Sequence, residues 1–178
     1  MLLVAGRIAL KRLMVFALAL LPVTPILALD VLESTLQVSF SHDGEDYVRN
    51  DSFVPLLPDN ACYAWYVRAD APDTTLRVVE RFTLPAPIDW GTQPPETVIE
   101  DGGRIAVTTS ELPTDGLGWF SHGWCAAEGD PTGPHLIEVS VDGETLASFP
   151  FEVLAPESYY FPQRTVPERA ARTANNFW

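Results

Sequence analysis

Lysine is absent beyond Lys11, and the 178 residues hold only 2 cysteines and 3 histidines. Each scarcity excludes something. After residue 28 the chain carries 8 arginines against 24 acidic residues, a net charge of −16. A surface of that sign repels nucleic acid and opposes docking on anionic lipid, and no basic stripe overrides it locally. With so few cysteines and histidines, metal chemistry has little to build on. His122 and Cys125 stand three apart, as in some zinc ligand pairs, but Cys62 is the only obvious third ligand and no second close pair exists. No metal and no cofactor is therefore expected.

Long amphipathic helical periods are also missing, as is any repeat of 20 to 50 residues. One long apolar run exists, at the start. Arg7, Lys11 and Arg12 precede the apolar run 13–21, and Ile26-Leu27-Ala28 forms an acceptable cleavage tripeptide, so residues 1–28 read as an export signal. The competing reading is a retained anchor, because residues 13–29 carry no charge. Pro22 and Pro25 argue against it, since they would break so short a span. No cysteine at the cleavage site offers itself for lipidation. The expected organisation is a signal peptide over 1–28, a single domain over 29–155 and a tail over 156–178, in a periplasmic or secreted protein without stable membrane insertion.

In an oxidising compartment the even pair Cys62 and Cys125 is most simply a disulfide. The rest of the chain consists of short alternating runs punctuated by turn chemistry. Residues 31–41 read as a strand with Leu36, Val38 and Phe40 on one face, ended by Asp43-Gly44. Residues 61–68 are apolar on both faces, as expected of a central strand. Strands are also expected at 75–84, 104–109 and 118–126. Residues 135–141 and 145–153 flank Asp142-Gly143, the strongest short-range hairpin signal, because both central residues of a type I′ turn need positive φ. Pro150 marks the last run as an edge or a bulge. About seven strands at this spacing predict an all-β, antiparallel sandwich with an irregular C-terminal tail.

Gly133-Pro134-His135, leading through Ile137 to Val141 and Asp142-Gly143 and closing with Phe149-Pro150-Phe151-Glu152-Val153, resembles the final hairpin of immunoglobulin-like or fibronectin-like modules of exported bacterial proteins. That likeness spans about 25 residues and implies sandwich topology, with no active site.

Catalytic constellations are poor. His42, His122 and His135 lie in three separate segments and read as ordinary surface or strand-end residues. Ser121 and His122 are adjacent on a strand, so they point to opposite faces, and no Gly-x-Ser-x-Gly elbow accompanies them. Glu45-Asp46, Glu100-Asp101 and Asp142-x-Glu144 sit beside glycines, the usual chemistry of turns. Glu80 differs, since alternation sets it among Leu76, Val78, Phe82 and Leu84. The expectation is a bulge or sheet rim at Glu80; an inward carboxylate would need a raised pKa or an arginine partner.

Aromatic residues are the best binding material. Tyr63 and Trp65 on one strand, with Trp119 and Trp124 bracketing Cys125, read first as core packing around the cystine. Trp90, Trp119 and Phe120, near loops, are the candidate exposed platform, and Trp178 beside the terminal carboxylate is a further candidate contact. In the tail, Tyr159, Tyr160 and Phe161 precede Arg164, Arg169 and Arg172, which are expected to lie back on the acidic domain. The functional expectation is an exported, non-catalytic binding or accessory module whose partner is a protein or glycan of the cell envelope. A glycan-binding module using exposed Trp and Tyr, and a small hydrolase, are the alternatives.

Overall fold

The computed structural model describes residues 29–162. The expected export signal over 1–28, Trp178, Arg164, Arg169 and Arg172 lie outside the described residues. Ten strands form two sheets. They are β1 (Val31–His42), β2 (Glu45–Asn50), β3 (Phe53–Pro55), β4 (Ala61–Ala69) and β5 (Thr75–Thr83), then β6 (Thr97–Glu100), β7 (Ile105–Pro113), β8 (Trp119–Cys125), β9 (Gly133–Val141) and β10 (Glu144–Leu154). One sheet has the order β2-β1-β4-β8, and the other β3-β10-β9-β5-β7-β6.

The seven anticipated strands are present, and β2, β3 and β6 are additional. Asp43-Gly44 does not merely end β1. It turns the chain into β2, with φ of 52° and 76° at the two residues and His42 paired with Glu45. The same positive-φ pair recurs at Asp142 (52°) and Gly143 (82°) in the β9–β10 hairpin. Both are type I′ chemistry. The sandwich is antiparallel except where β3 joins β10 in parallel at Glu152 to Leu154. Pro150 pairs with Leu136 on β9 and lies short of the segment that β3 covers, so its missing N–H is not required on that side. The bulge in β10 is elsewhere, between Thr145 and Ala147.

The core is the interleaf between the two inner faces. Val38 and Phe40 of β1, Tyr63, Trp65 and Val67 of β4 and Phe120 of β8 meet Val78 and Phe82 of β5, Ile137 and Val139 of β9, and Phe149 and Phe151 of β10. Strict alternation on β4 buries Ala61, Tyr63, Trp65, Val67 and Ala69 and turns Cys62 to the other face. Cys62 is directly opposite Cys125 on β8 and bonded to it. The disulfide thus joins neighbouring strands of one sheet on its outer side. This corrects the expected packing of aromatics around the cystine: Tyr63 and Trp65 are core, but on the opposite face of the sheet.

Beyond β10 the chain folds back on the domain. Tyr159 is buried, and Arg49 Nη2 donates a hydrogen bond to its hydroxyl. Phe161 stacks on His42 with centroids 3.9 Å apart, whereas Tyr160 is 80% exposed. Two of the three tail aromatics therefore extend the core. Among the described residues no helix is long and apolar enough to cross a membrane.

Candidate functional site

Glu80 is 4% exposed, inside a regular stretch of β5 whose pairing with β7 and β9 runs through it without a shift. The expected bulge or rim is therefore corrected. Among the described residues no arginine pairs with it; three ring N–H groups take the place of solvent. Trp65 Nε1 donates to Glu80 Oε2, Trp124 Nε1 donates to Oε1 at 2.8 Å, and His122 Nδ1 lies 3.1 Å from Oε2. The donors come from β4 and β8, so this one carboxylate ties the two sheets together across the core. Buried charge is tolerable only when it is hydrogen-bonded in this way. The bond to Glu80 raises the His122 pKa above its ordinary 6.5, against a smaller opposing effect of burial.

Two residues along β5, Phe82 begins the floor of a cleft between the sheets at one end of the sandwich. Its ring lies 5.5 Å from Trp124 and 5.8 Å from Trp90, which meet each other edge to face at 5.9 Å. Tyr63 and His135 complete the aromatic lining. The cleft has a volume of about 360 Å³, within the range of small-ligand sites. Its walls are the loop 84–91 and the loop 127–130. The first is pinned by Gly103, whose carbonyl accepts from Ile88 N at 3.1 Å and from Trp90 Nε1 at 2.8 Å. Glycine is required there: φ is 105°, and a Cβ would lie 2.5 Å from the Ile88 oxygen. The second loop is closed by Asp130, whose Oδ2 accepts from Ala127 N at 2.8 Å.

His135 is 4% exposed, and its Nδ1 donates to the Gly133 carbonyl at 2.9 Å. Burial, outweighing that bond and the nearby Asp130, pushes its pKa below 6.5. The neutral ring therefore keeps its proton on Nδ1 and presents Nε2 as an acceptor. Burial, followed by the charges of Asp130 and Glu80, pushes the Tyr63 phenol far up, so it stays a hydroxyl.

The two histidines respond to pH with opposite signs. For His122 the folded pKa is raised, so its stabilising contribution is complete below about pH 6.5 and is lost as pH rises through the folded value. For His135 the folded pKa is lowered, so its contribution is present above about pH 6.5 and is lost as pH falls through the folded value. His122→Asn should leave a protein whose stability rises with pH across this window, and His135→Gln one whose stability falls. Because His122 is 35% exposed, solvent screening holds its contribution below about 1 kcal/mol. Denaturant titrations from pH 5 to 8 check the crossing slopes.

The anticipated platform residues are not brought together. Trp90 is half-buried in the cleft wall. Trp119, five residues before Trp124 on β8 and so about 17 Å from it by strand rise, sits on the outer face with the Arg68 guanidinium 5.8 Å from its ring centroid. Phe120 is 3% exposed and packs edge-on against Trp65, so it belongs to the core and not to an exposed platform. Tyr63, Phe82, Trp124, His135 and Asp130 were not anticipated as site residues. The alternation on β9 places His135 on the face of Ile137 and Val139, which was the available signal.

Fold and cleft together define the class: an all-β sandwich of two sheets with an interleaf opening at one end. The chain belongs to the PM0630 beta sandwich domain family, which it matches over residues 35–154. Among solved structures it is similar to an immunoglobulin-like protein, PA1606, of Pseudomonas aeruginosa, at 13% identity over 68% of this chain and 97% of that one, with a TM-score of 0.43. It is also similar to the Pseudomonas fluorescens alkylpurine DNA glycosylase AlkC bound to DNA containing an abasic site analog. There the identity is 14% and the TM-score 0.31, over 68% of this chain and 30% of that one. No curated protein matches the chain.

Proposed function

We propose that this protein is an exported, non-catalytic binding or accessory module whose ligand enters the aromatic cleft between the loops 84–91 and 127–130. The observation that carries this reading is the lining: Tyr63, Phe82, Trp90, Trp124 and His135 converge on one concave site of about 360 Å³. Aromatic faces held by core packing and hydrogen bonds supply contact area with little entropy left to lose on binding. The signal-like residues 1–28 and the Cys62–Cys125 bond support a location outside the cytoplasm. Glu80 and His122 form a carboxylate–imidazole pair, yet the same carboxylate also receives two indoles, and Ser121 is on the other face of β8. That arrangement serves structure better than nucleophilic catalysis.

The test is a fragment and oligosaccharide screen against the full chain, read by the indole N–H resonances. Binding in the cleft should shift Trp90 and Trp124 while leaving Trp119 in place. Ligands that move Trp119 alone would overturn the cleft reading and favour a glycan platform on the outer face of β8.

A further inference from the structure

The hydrogen-bonding inventory of the cleft is lopsided. Both indole donors are engaged within the protein, Trp90 Nε1 on Gly103 and Trp124 Nε1 on Glu80, so these residues offer a ligand their rings and not their N–H groups. His135 gives its proton to Gly133, which leaves Nε2 as an acceptor. Tyr63 is 5% exposed, lines the cleft, and makes no hydrogen bond among the described residues. Its hydroxyl is therefore open to the cleft, with no hydrogen-bond partner among the described residues. Asp89, Glu128 and Asp130 line the same cleft, and among the described residues no arginine or lysine does. Asp130 is close enough to act electrostatically on both Tyr63 and His135.

Acceptors, carboxylates and aromatic faces in one site, with almost no side-chain donor, are complementary to a group that brings both positive charge and N–H donors. We propose that the cleft binds an alkylammonium group, with Asp130 as its counter-ion, Tyr63 and His135 Nε2 as acceptors, and Trp90 and Trp124 as ring partners. The ring quadrupole attracts a cation placed over its face, and more so in a desolvated site. An anion would meet three carboxylates. A sugar would find few donors for its hydroxyl oxygens beyond Tyr63. This inference rests on the cleft being the binding site and adds the chemistry of what it takes.

The full chain would be titrated with 1,5-diaminopentane, with its uncharged counterpart 1,5-pentanediol, with the dianion glutarate, and with a blocked tripeptide carrying one central lysine, by calorimetry and by indole N–H shifts. The diamine or the lysine peptide should bind, shifting Trp90 and Trp124, and the diol and glutarate should not. Whichever amine binds more tightly identifies the source as a free amine or a peptide side chain, and either supports the proposal. Asp130→Asn, which can keep the bond to Ala127 N, should weaken binding about tenfold or more, and Tyr63→Phe about threefold to tenfold. Glu144→Gln, an exposed change at the far hairpin, should leave binding unaltered, which separates the site from general attraction of cations to an acidic protein. Binding of the diol or glutarate that shifts Trp90 and Trp124, with no amine binding, overturns the ammonium proposal while the cleft reading survives. Amine binding that shifts Trp90 and Trp124 but ignores Asp130→Asn and Tyr63→Phe likewise overturns the ammonium proposal alone, and amine binding that moves only Trp119 overturns both.

Discussion

Glu80→Leu is expected to destabilise the fold by about 3–5 kcal/mol, the range for removing one partner of a buried charged network. The leucine would be no misfit in volume, and in an apolar core it would gain hydrophobic transfer energy. What it leaves behind decides the outcome. Trp65 Nε1 is wholly buried with its residue, Trp124 Nε1 is held in the cleft wall, and both donors would lose their acceptor at once. An unmet buried donor costs about 1–3 kcal/mol. His122 loses its partner as well, so the rise in its pKa should vanish. Glu80→Gln is the informative comparison. One amide oxygen can still accept from one indole, but the NH₂ group then faces the other indole donor, so the loss should be intermediate. If the argument is right, Glu80→Leu combined with Trp65→Phe should be less damaging than the sum of the two, because the orphaned donor is removed along with the acceptor. Urea titrations of the four variants measure this. A Glu80→Leu protein as stable as wild type would show that the carboxylate contributes nothing net.

The same carboxylate explains how the core reaches the cleft. Glu80 fixes the Trp124 indole by its nitrogen, and Phe82, two residues on along β5, meets the same ring at 5.5 Å. Trp90 then packs on both Phe82 and Trp124. Cleft lining and structural network share a side chain, so the cleft is shaped by the strands on its floor and by two pinned loops on its walls. Loop 84–91 has its anchor in the Gly103 carbonyl, and loop 127–130 in the Asp130 carboxylate.

Much of this was legible from residues alone, and the gaps have physical causes. Strands with an alternating apolar face announced themselves: β1, β5, β9 and β10 bury the residues that period two selects, while β4, apolar on both faces, lies centrally between β1 and β8. β2 was missed although Asp43-Gly44 is the same turn dipeptide as Asp142-Gly143, because its partner run, Glu-Asp-Tyr-Val-Arg-Asn, has only two apolar residues and they fall on opposite faces. β3 and β6 are three and four residues long, too short for any period to register. Glu80 could be placed on the inward face by counting, but its partners could not be, since Trp65, His122 and Trp124 come from strands 15 to 44 residues away. The cleft is of the same kind. Its rings come from β4, β5, β8, β9 and a loop, and only the stacking of one sheet on the other assembles them.

The disulfide supplies the second large effect. Reducing Cys62–Cys125, or replacing both by serine, is expected to cost about 4 kcal/mol on the chain-entropy model, because residues 63 apart in sequence are tied together in the unfolded chain. The placement of the bond sharpens the expectation. Cys62 and Cys125 lie on the outer side of their sheet, and Cys125 is exposed, so the serine pair opens no cavity in the core and strands no buried group. The native state should therefore keep its near-ultraviolet spectrum and its Trp90–Trp124 cleft, while the unfolding midpoint falls. Such a pattern is the signature of a constraint that acts on the unfolded ensemble rather than on packing. β8 is an edge strand held to β4 on one side only, and it carries Phe120, His122 and Trp124 inward. A second consequence is local: once the covalent tie at Cys125 is gone, the β8 amides from Gly123 to Cys125 should exchange hydrogen faster than those of β4. Global loss without any change in relative protection would place the whole effect in the unfolded state. Loss of the native spectrum on reduction, before denaturant is added, would instead show that the bond holds the folded packing together.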